Sequence, residues 1–154
     1  MDKKKLQEFL VKARTKTYAS GGGKVTPAFV GSDQLEYTED KWLYRDVYYT
    51  GNGIFTGLEV IYLGDKPVWT MSYAGSFKKM SGQEIDSILR PALMDNWKTT
   101  RLWHEIEWKS GSYKYICTPD SSDGSIDEMT GVEKILRTGE EVYSFYYAGG
   151  FIGK

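Results

Sequence analysis

The chain has 154 residues, a length that normally forms one domain with a sizeable hydrophobic core. Its 20 Lys and Arg nearly balance 21 Asp and Glu, so the net charge of −1 gives no electrostatic reason to bind nucleic acid or a membrane surface. The single cysteine, Cys117, excludes an intramolecular disulfide and is typical of a reducing compartment. No apolar run approaches the roughly 18 residues of a membrane span, and no secretory signal is present. We therefore expect a cytoplasmic protein.

An amphipathic helix is predicted near the N-terminus, where Leu6, Phe9, Leu10 and Ala13 share one helical face and Asp2 is placed to cap it. Segments rich in β-branched and aromatic residues follow, separated by turn residues such as Gly51-Asn52-Gly53. They predict four strands: Gln34–Thr38, Lys41–Thr50, Gly57–Leu63 and Lys66–Gly75.

A second helix is predicted from the capping-box pattern of Ser81 and Glu84. An apolar stripe continues it, and Pro91 lies inside that stripe, which predicts a kink or a break. The stripe consists of Ile85, Ile88, Leu89, Ala92 and Leu93. Four more strands are predicted after it: His104–Lys109, Ser112–Thr118, Thr130–Arg137 and Glu141–Gly149.

The second half of the chain repeats the first. Thr56–Phe77 aligns with Thr130–Phe151 without a gap, and nine positions are identical, including Gly57/Gly131, Glu59/Glu133 and Tyr73/Tyr147. We interpret this as a tandem duplication of an α-β4 unit within one domain, 1–154, with repeats at 1–78 and 79–154. Short connections indicate antiparallel meanders. The predicted fold is α+β, an antiparallel eight-stranded curved sheet or open barrel with two helices packed on one face.

Several phrases of the sequence resemble a prokaryotic family of unknown function. The matching pieces include Tyr44-x-Asp46, Gly57-x-Glu59-Val60, Lys66-Pro67-Val68-Trp69-x-Met71-x-Tyr73-x-Gly75, Gly111-x-Tyr113-x-Tyr115-x-Cys117, Gly131-x-Glu133, Val142-Tyr143 and Gly149-Gly150-Phe151-Ile152. Domains of this family occur alone or fused to an XRE-type helix-turn-helix regulator. The resemblance implies at most an effector-sensing or partner-binding role, and it supplies no catalytic residue. This chain has Tyr147-Ala148-Gly149-Gly150 where a Phe-His-Gly-Gly-like ending is common in the family.

The aromatic content, with 12 Tyr, 5 Trp and 6 Phe, exceeds what a small core needs. Strand alternation places many of these rings on one side of the sheet. They form either a large core or the wall of a cavity. The candidate ligand-binding residues are Trp42, Tyr44, Asp46, Glu59, Trp69, Tyr73, Glu133, Tyr143 and Tyr147.

Glu59 and Glu133 are equivalent in the repeat, and a symmetric assembly would bring them together for acid–base chemistry or cation binding. A structural role for each, paired with Lys or Arg or facing solvent, is the alternative. Asp46 shares the aromatic face and must be paired, exposed at a rim or functional. Arg101 is a candidate partner for it. The repeated glycines, Gly57 and Gly131, predict bulges or close backbone approach.

Other motifs fail their chemical requirements. Gly21–Lys24 lacks the first glycine and the Ser or Thr of a phosphate loop. Asp120–Asp127 lacks the spacing of a calcium loop, and His104, the only histidine, cannot form an ordinary zinc site with one cysteine. We expect no catalytic residue, no metal and no cofactor.

The favoured hypothesis is a non-catalytic domain that binds or senses a small apolar or aromatic molecule or a peptide. One alternative is a hydrolase-like acid–base enzyme that uses the paired carboxylates within roughly 10 Å of each other. Another is a protein-interaction module that binds a regulator protein or a second copy of itself, as a homodimer.

Overall fold

The computed structural model describes residues 1–99, 101–102, 104–120 and 125–153. Helix α1 spans Lys3–Lys16, a 3₁₀ turn follows at Tyr18–Ser20, and helix α2 spans Gly82–Asp95. The strands are β1 (Asp33–Glu39), β2 (Trp42–Gly51), β3 (Ile54–Leu63), β4 (Lys66–Ser76), β5 (Ile106–Ser110), β6 (Tyr113–Pro119), β7 (Glu128–Arg137) and β8 (Glu140–Phe151). The predicted order of one helix and four strands, twice, is confirmed.

The eight strands form one open antiparallel sheet in the order β1-β2-β3-β4-β8-β7-β6-β5. Each half of the chain is a meander, and the two meanders join where β4 pairs with β8, with Tyr73 opposite Tyr147. The predicted α+β class and the open sheet are confirmed. The duplication and the domain limits stay predictions.

β3 is the strand whose start differs most from its predicted position, and the tight turn before it explains the difference. Asn52 and Gly53 have φ of 50° and 70°, the left-handed conformation that a two-residue hairpin needs. Because this turn is so short, pairing resumes at once and β3 begins at Ile54, three residues before the predicted Gly57.

The helix ends follow the predicted capping. The Asp2 side chain accepts hydrogen bonds from the backbone of Lys4 and Lys5, and both bonds of the Ser81–Glu84 capping box are present. Of the kink or break predicted at Pro91, the break is wrong, because α2 continues through Pro91 to Asp95. The apolar stripe of α2 is buried, and at about 1.5–3 kcal/mol for each large apolar side chain this burial outweighs the roughly 3 kcal/mol cost of an interior proline.

Both helices pack on one face of the sheet, and the core lies between these two layers. Phe9 of α1 stacks on Trp42 of β2 with ring centroids 5.4 Å apart. Trp69 and Tyr115 are fully buried on the same inner face. Within the described residues, no helix has the length and hydrophobicity required to cross a bilayer.

Candidate ligand-binding cavity

A cavity of about 280 Å³ lies between the inner face of the sheet and the two helices. Aromatic side chains from both halves of the chain form much of its wall: Tyr18, Tyr44, Tyr48, Phe55, Tyr73 and Phe145. Thr50, Gly82 and Trp97 also line it and are exposed, so the cavity reaches solvent near the ends of β2 and α2. The sequence left open whether the aromatic face is core or cavity wall, and the structure contains both.

Five of the nine predicted ligand-binding residues line this cavity. They are Tyr44, Asp46, Glu59, Tyr73 and Tyr143. The other four lie in the packed layers around it: Trp42 stacks on Phe9, Trp69 and Glu133 are fully buried, and the ring of Tyr147 lies against Gly131. The predicted set therefore contains a cavity-facing part and a core part.

Glu59 is held by an arginine of α1. The Nε and Nη2 atoms of Arg14 donate to Glu59 Oε2 at 2.9 Å and 2.7 Å. The side chains of Arg14 and Glu59 are only 13% and 2% exposed, so this ion pair is largely removed from water. A charge-assisted contact in such a site fixes both side chains firmly.

Arg101 joins the two repeated glutamates. Its Nε donates to Glu133 Oε1 at 2.5 Å, and its Nη1 lies 3.5 Å from Glu59 Oε1. The guanidinium also lies over the ring of Phe145, 4.1 Å from the centroid. Burial lowers the pKa of Arg101, but the carboxylates of Glu133 and Glu59 outweigh it, so the pKa is raised well above its ordinary value. The glutamates do come together, with a cation between them.

Arg101 was suggested by the sequence as a partner of Asp46, but its ion pairs are with the glutamates. Arg101 has φ of 56°, a left-handed conformation that is rare outside glycine. The turn after α2 therefore holds the side chain toward the buried carboxylates at some backbone cost, and such strain is common at functional sites.

Asp46 is the unusual carboxyl of the cavity wall. It is 5% exposed, it lies directly across from Glu59 in the β2–β3 pairing, and it accepts a hydrogen bond from the Tyr73 hydroxyl at 2.6 Å. Burial first, and the charge of Glu59 second, raise the pKa of Asp46 to about 7. Within the described residues it has no Lys or Arg at ion-pair distance. Near neutral pH this group exists in both protonation states.

A second polar group lies on the helical side of the cavity. Asp86 accepts a hydrogen bond from the Tyr18 hydroxyl at 3.1 Å and pairs with Arg90 at 2.9 Å. The Arg90 guanidinium lies 5.3 Å from the centre of the Tyr18 ring. The side chains of Arg90 and Asp86 are 36% and 41% exposed, so this group lies where the cavity meets solvent.

The repeated glycines allow tyrosine rings to lie on the backbone. A Cβ added at Gly57 would be 2.4 Å from the Tyr73 hydroxyl oxygen, and one at Gly131 would be 2.4 Å from that of Tyr147. The predicted close approach is confirmed. Of the two predicted alternatives, a bulge or a close approach, the structure has the close approach, and the register shifts lie between Ile61 and Tyr62 and between Ile135 and Leu136.

Cys117 is not among the residues that line the cavity. It is fully buried, and burial, with Glu133 second, raises the pKa of its thiol to about 11. The loop compared with a calcium site includes residues 121–124, which lie outside the described residues. Within the described ranges, no three His, Cys, Asp or Glu side chains are grouped as metal ligands.

Residues 46–152 match the family described as Domain of unknown function (DUF5680). The chain belongs to this family. The predicted resemblance to a family of unknown function is confirmed at that level. No curated protein and no solved structure matches the chain.

The DUF5680 match begins at Asp46 and includes Glu59, Tyr73, Arg101 and Glu133. It leaves out α1, which supplies Arg14, and the 3₁₀ turn, which supplies the Tyr18 ring. The cavity of this chain is thus built from the matched region together with the N-terminal segment that precedes it.

Sequence reasoning missed the cavity residues of the helices, Arg14, Tyr18, Asp86 and Arg90. A signal for Arg14 was present, because the repeat alignment places it opposite Leu93, a member of the apolar stripe of α2. A charge at an apolar stripe position indicates a buried partner.

Proposed function

We propose that this protein is a non-catalytic domain that binds a small, partly aromatic molecule in the cavity between its sheet and its helices. The observation that supports this most is the cavity itself, with aromatic walls and a few buried polar groups. Ligand sites commonly have this composition and measure roughly 300–1,000 Å³. A volume of about 280 Å³ suits a molecule with one aromatic ring.

The charges of Glu59 and Glu133 are compensated by arginines, which favours ligand binding over acid–base chemistry by this pair. Arg14 and Arg101 compensate Glu59, and Arg101 compensates Glu133. Glu133 is fully buried and lies outside the cavity wall. Acid–base chemistry by a pair needs both carboxyl groups to reach the substrate, and Glu133 does not. The acid–base alternative therefore has less support.

We further infer a sensing role for the binding event. The resemblance implies prokaryotic relatives in which such a domain is fused to an XRE-type regulator, and a cytoplasmic domain with a solvent-connected cavity is suited to report a small effector. Contact with a regulator protein or with a second copy of the chain would then carry the signal.

The cavity is tested with 2-phenylethanol as a neutral one-ring probe and with two tryptophan variants of α1. Thr15 lines the cavity, so Thr15→Trp places an indole inside it, whereas Lys16 is exposed on the same helix and Lys16→Trp adds an indole outside. Amide chemical shifts of the ¹⁵N-labelled protein report where the probe binds.

We expect saturable shifts at Tyr44, Phe55 and Phe145 in the wild type and in Lys16→Trp, and their loss in Thr15→Trp. A probe that shifts no cavity residue at millimolar concentration, or that binds Thr15→Trp as well as the wild type, would contradict the proposed function.

A further inference from the structure

We propose that the ligand of this cavity carries a protonated amine that forms an ion pair with Asp46. The inference rests on the proposed function, since it names the chemical class of the molecule that the cavity would bind.

The buried cluster at the cavity contains fewer cations than carboxylates. Arg14 and Arg101 supply two guanidiniums, whereas Glu59, Glu133 and Asp46 supply three carboxyl groups. An unpaired charge in a protein interior is costly, so a buried cluster tends toward neutrality. With all three carboxyls ionised, this cluster lacks one positive charge.

In the part of the chain that the structure describes, Asp46 is the carboxyl group of the cluster that has no cation beside it. Arg14 directs two nitrogen atoms to Glu59, and Arg101 is shared between Glu133 and Glu59. Among the described side chains, Asp46 receives only the Tyr73 hydroxyl, on its Oδ1 atom. The ion pairs of both guanidiniums are with the glutamates, although Arg14 Nη1 is buried without a partner among the described residues. The carboxyl that lacks an ion pair is in the wall of the cavity.

Near pH 7 a proton on Asp46 compensates part of this charge in the absence of a bound cation. The groups that act on Asp46 are Glu59 on β3, Tyr73 on β4, Arg14 on α1 and Arg101 after α2, and burial with Glu59 raises the Asp46 pKa to about 7. An ammonium group placed at Asp46 would supply the same compensation. Its binding would therefore displace the proton.

The walls suit such a ligand. Tyr44, Tyr48, Tyr73 and Phe55 line the cavity together with Asp46, and aromatic side chains near a bound cation can attract it electrostatically. An anionic ligand would add negative charge to a cluster that already contains three carboxyl groups and two guanidiniums.

Three probes of nearly equal size separate the possibilities: 2-phenylethylamine, 2-phenylethanol and phenylacetate, which are cationic, neutral and anionic at pH 7. In isothermal titration we expect the amine to bind at least about tenfold more tightly than the alcohol, the factor of one charge-assisted hydrogen bond, and phenylacetate to bind most weakly. Titration in buffers of different ionisation enthalpy should show release of about half a proton per amine at pH 7.

Two variants assign the preference to Asp46. Asp46→Asn should lower amine affinity to that of the alcohol and abolish proton release, while Asp65→Asn, in the exposed turn between β3 and β4, should change neither. Circular dichroism confirms that each variant is folded.

The outcomes distinguish this inference from the proposed function. If the alcohol or phenylacetate binds as tightly as the amine and Thr15→Trp blocks it, the amine inference is wrong and the cavity proposal stands. If Asp46→Asn keeps the preference for the amine, the inference is also wrong. If no probe binds in a manner that Thr15→Trp abolishes, both are overturned.

Discussion

Replacing Asp46 by asparagine should stabilise the protein by an amount that grows with pH. The amide keeps the shape of the carboxyl and can still accept the Tyr73 hydrogen bond. Folding raises the Asp46 pKa from 3.8 to about 7, and at 1.36 kcal/mol per pH unit this shift corresponds to as much as about 4 kcal/mol. The side chain is 5% exposed, so solvent screening removes little of it.

The sign follows from proton binding. Between pH 4 and 7 the folded protein holds a proton on Asp46 that the unfolded chain has lost, so the free energy of unfolding falls as the pH rises. The loss is absent below pH 4 and complete above pH 7. The stability of Asp46→Asn minus that of the wild type should therefore increase from near zero at pH 4 to about 4 kcal/mol at pH 8.

Urea unfolding followed by tryptophan fluorescence at four pH values measures this difference. Asp65→Asn removes one exposed carboxyl from the same sheet and controls for net charge. A difference that stays constant between pH 4 and 8, or that falls with pH, would refute the assignment of Asp46 as a buried carboxyl that is protonated near neutrality.

Three further predictions concern the surroundings of the cavity. Arg101→Met leaves two buried carboxylates without their shared cation and should lower the free energy of unfolding by about 3–5 kcal/mol in urea titrations. Gly57→Ala forces the Tyr73 ring off the backbone and should cost about 1–3 kcal/mol in the same assay, whereas Gly51→Ala, whose Cβ meets no described atom within 4 Å, should cost far less. Cys117 in the folded protein should react with a thiol reagent at pH 8 at least about a hundredfold more slowly than in urea, because burial raises its pKa.

Each of these three predictions has a result that would contradict it. An Arg101→Met protein as stable as the wild type would show that Glu133 needs no buried cation. Equal effects of alanine at Gly57 and Gly51 would show that the tyrosine does not depend on the glycine. Rapid labelling of Cys117 would show that the inner layer opens readily.

The fold could be predicted because its signals are local. Alternating segments and short turns specify antiparallel pairing, and alternation alone placed Tyr44 and Asp46 on the buried face. Hairpin geometry decided the start of β3, which depends on the left-handed conformation at Asn52 and Gly53 rather than on strand propensity. At Pro91 tertiary packing of α2 outweighed the local rule.

The site was harder to predict, because its contacts join elements distant in sequence. The Glu59/Glu133 pair was visible in the repeat, but no periodic signal leads to Arg101, which is positioned by a turn in the left-handed conformation. The uncompensated charge of Asp46 became apparent only once the partners of both arginines were known.

The central claim is that Asp46 is the polar anchor of a ligand cavity. It is tested most directly by ¹³C NMR titration of the Asp46 carboxyl, with and without saturating 2-phenylethylamine. We expect titration near pH 7 in the free protein and a pKa lowered by at least about one unit with the amine bound, which corresponds to 1.36 kcal/mol of ion pairing. A titration curve that the amine leaves unchanged would contradict the account.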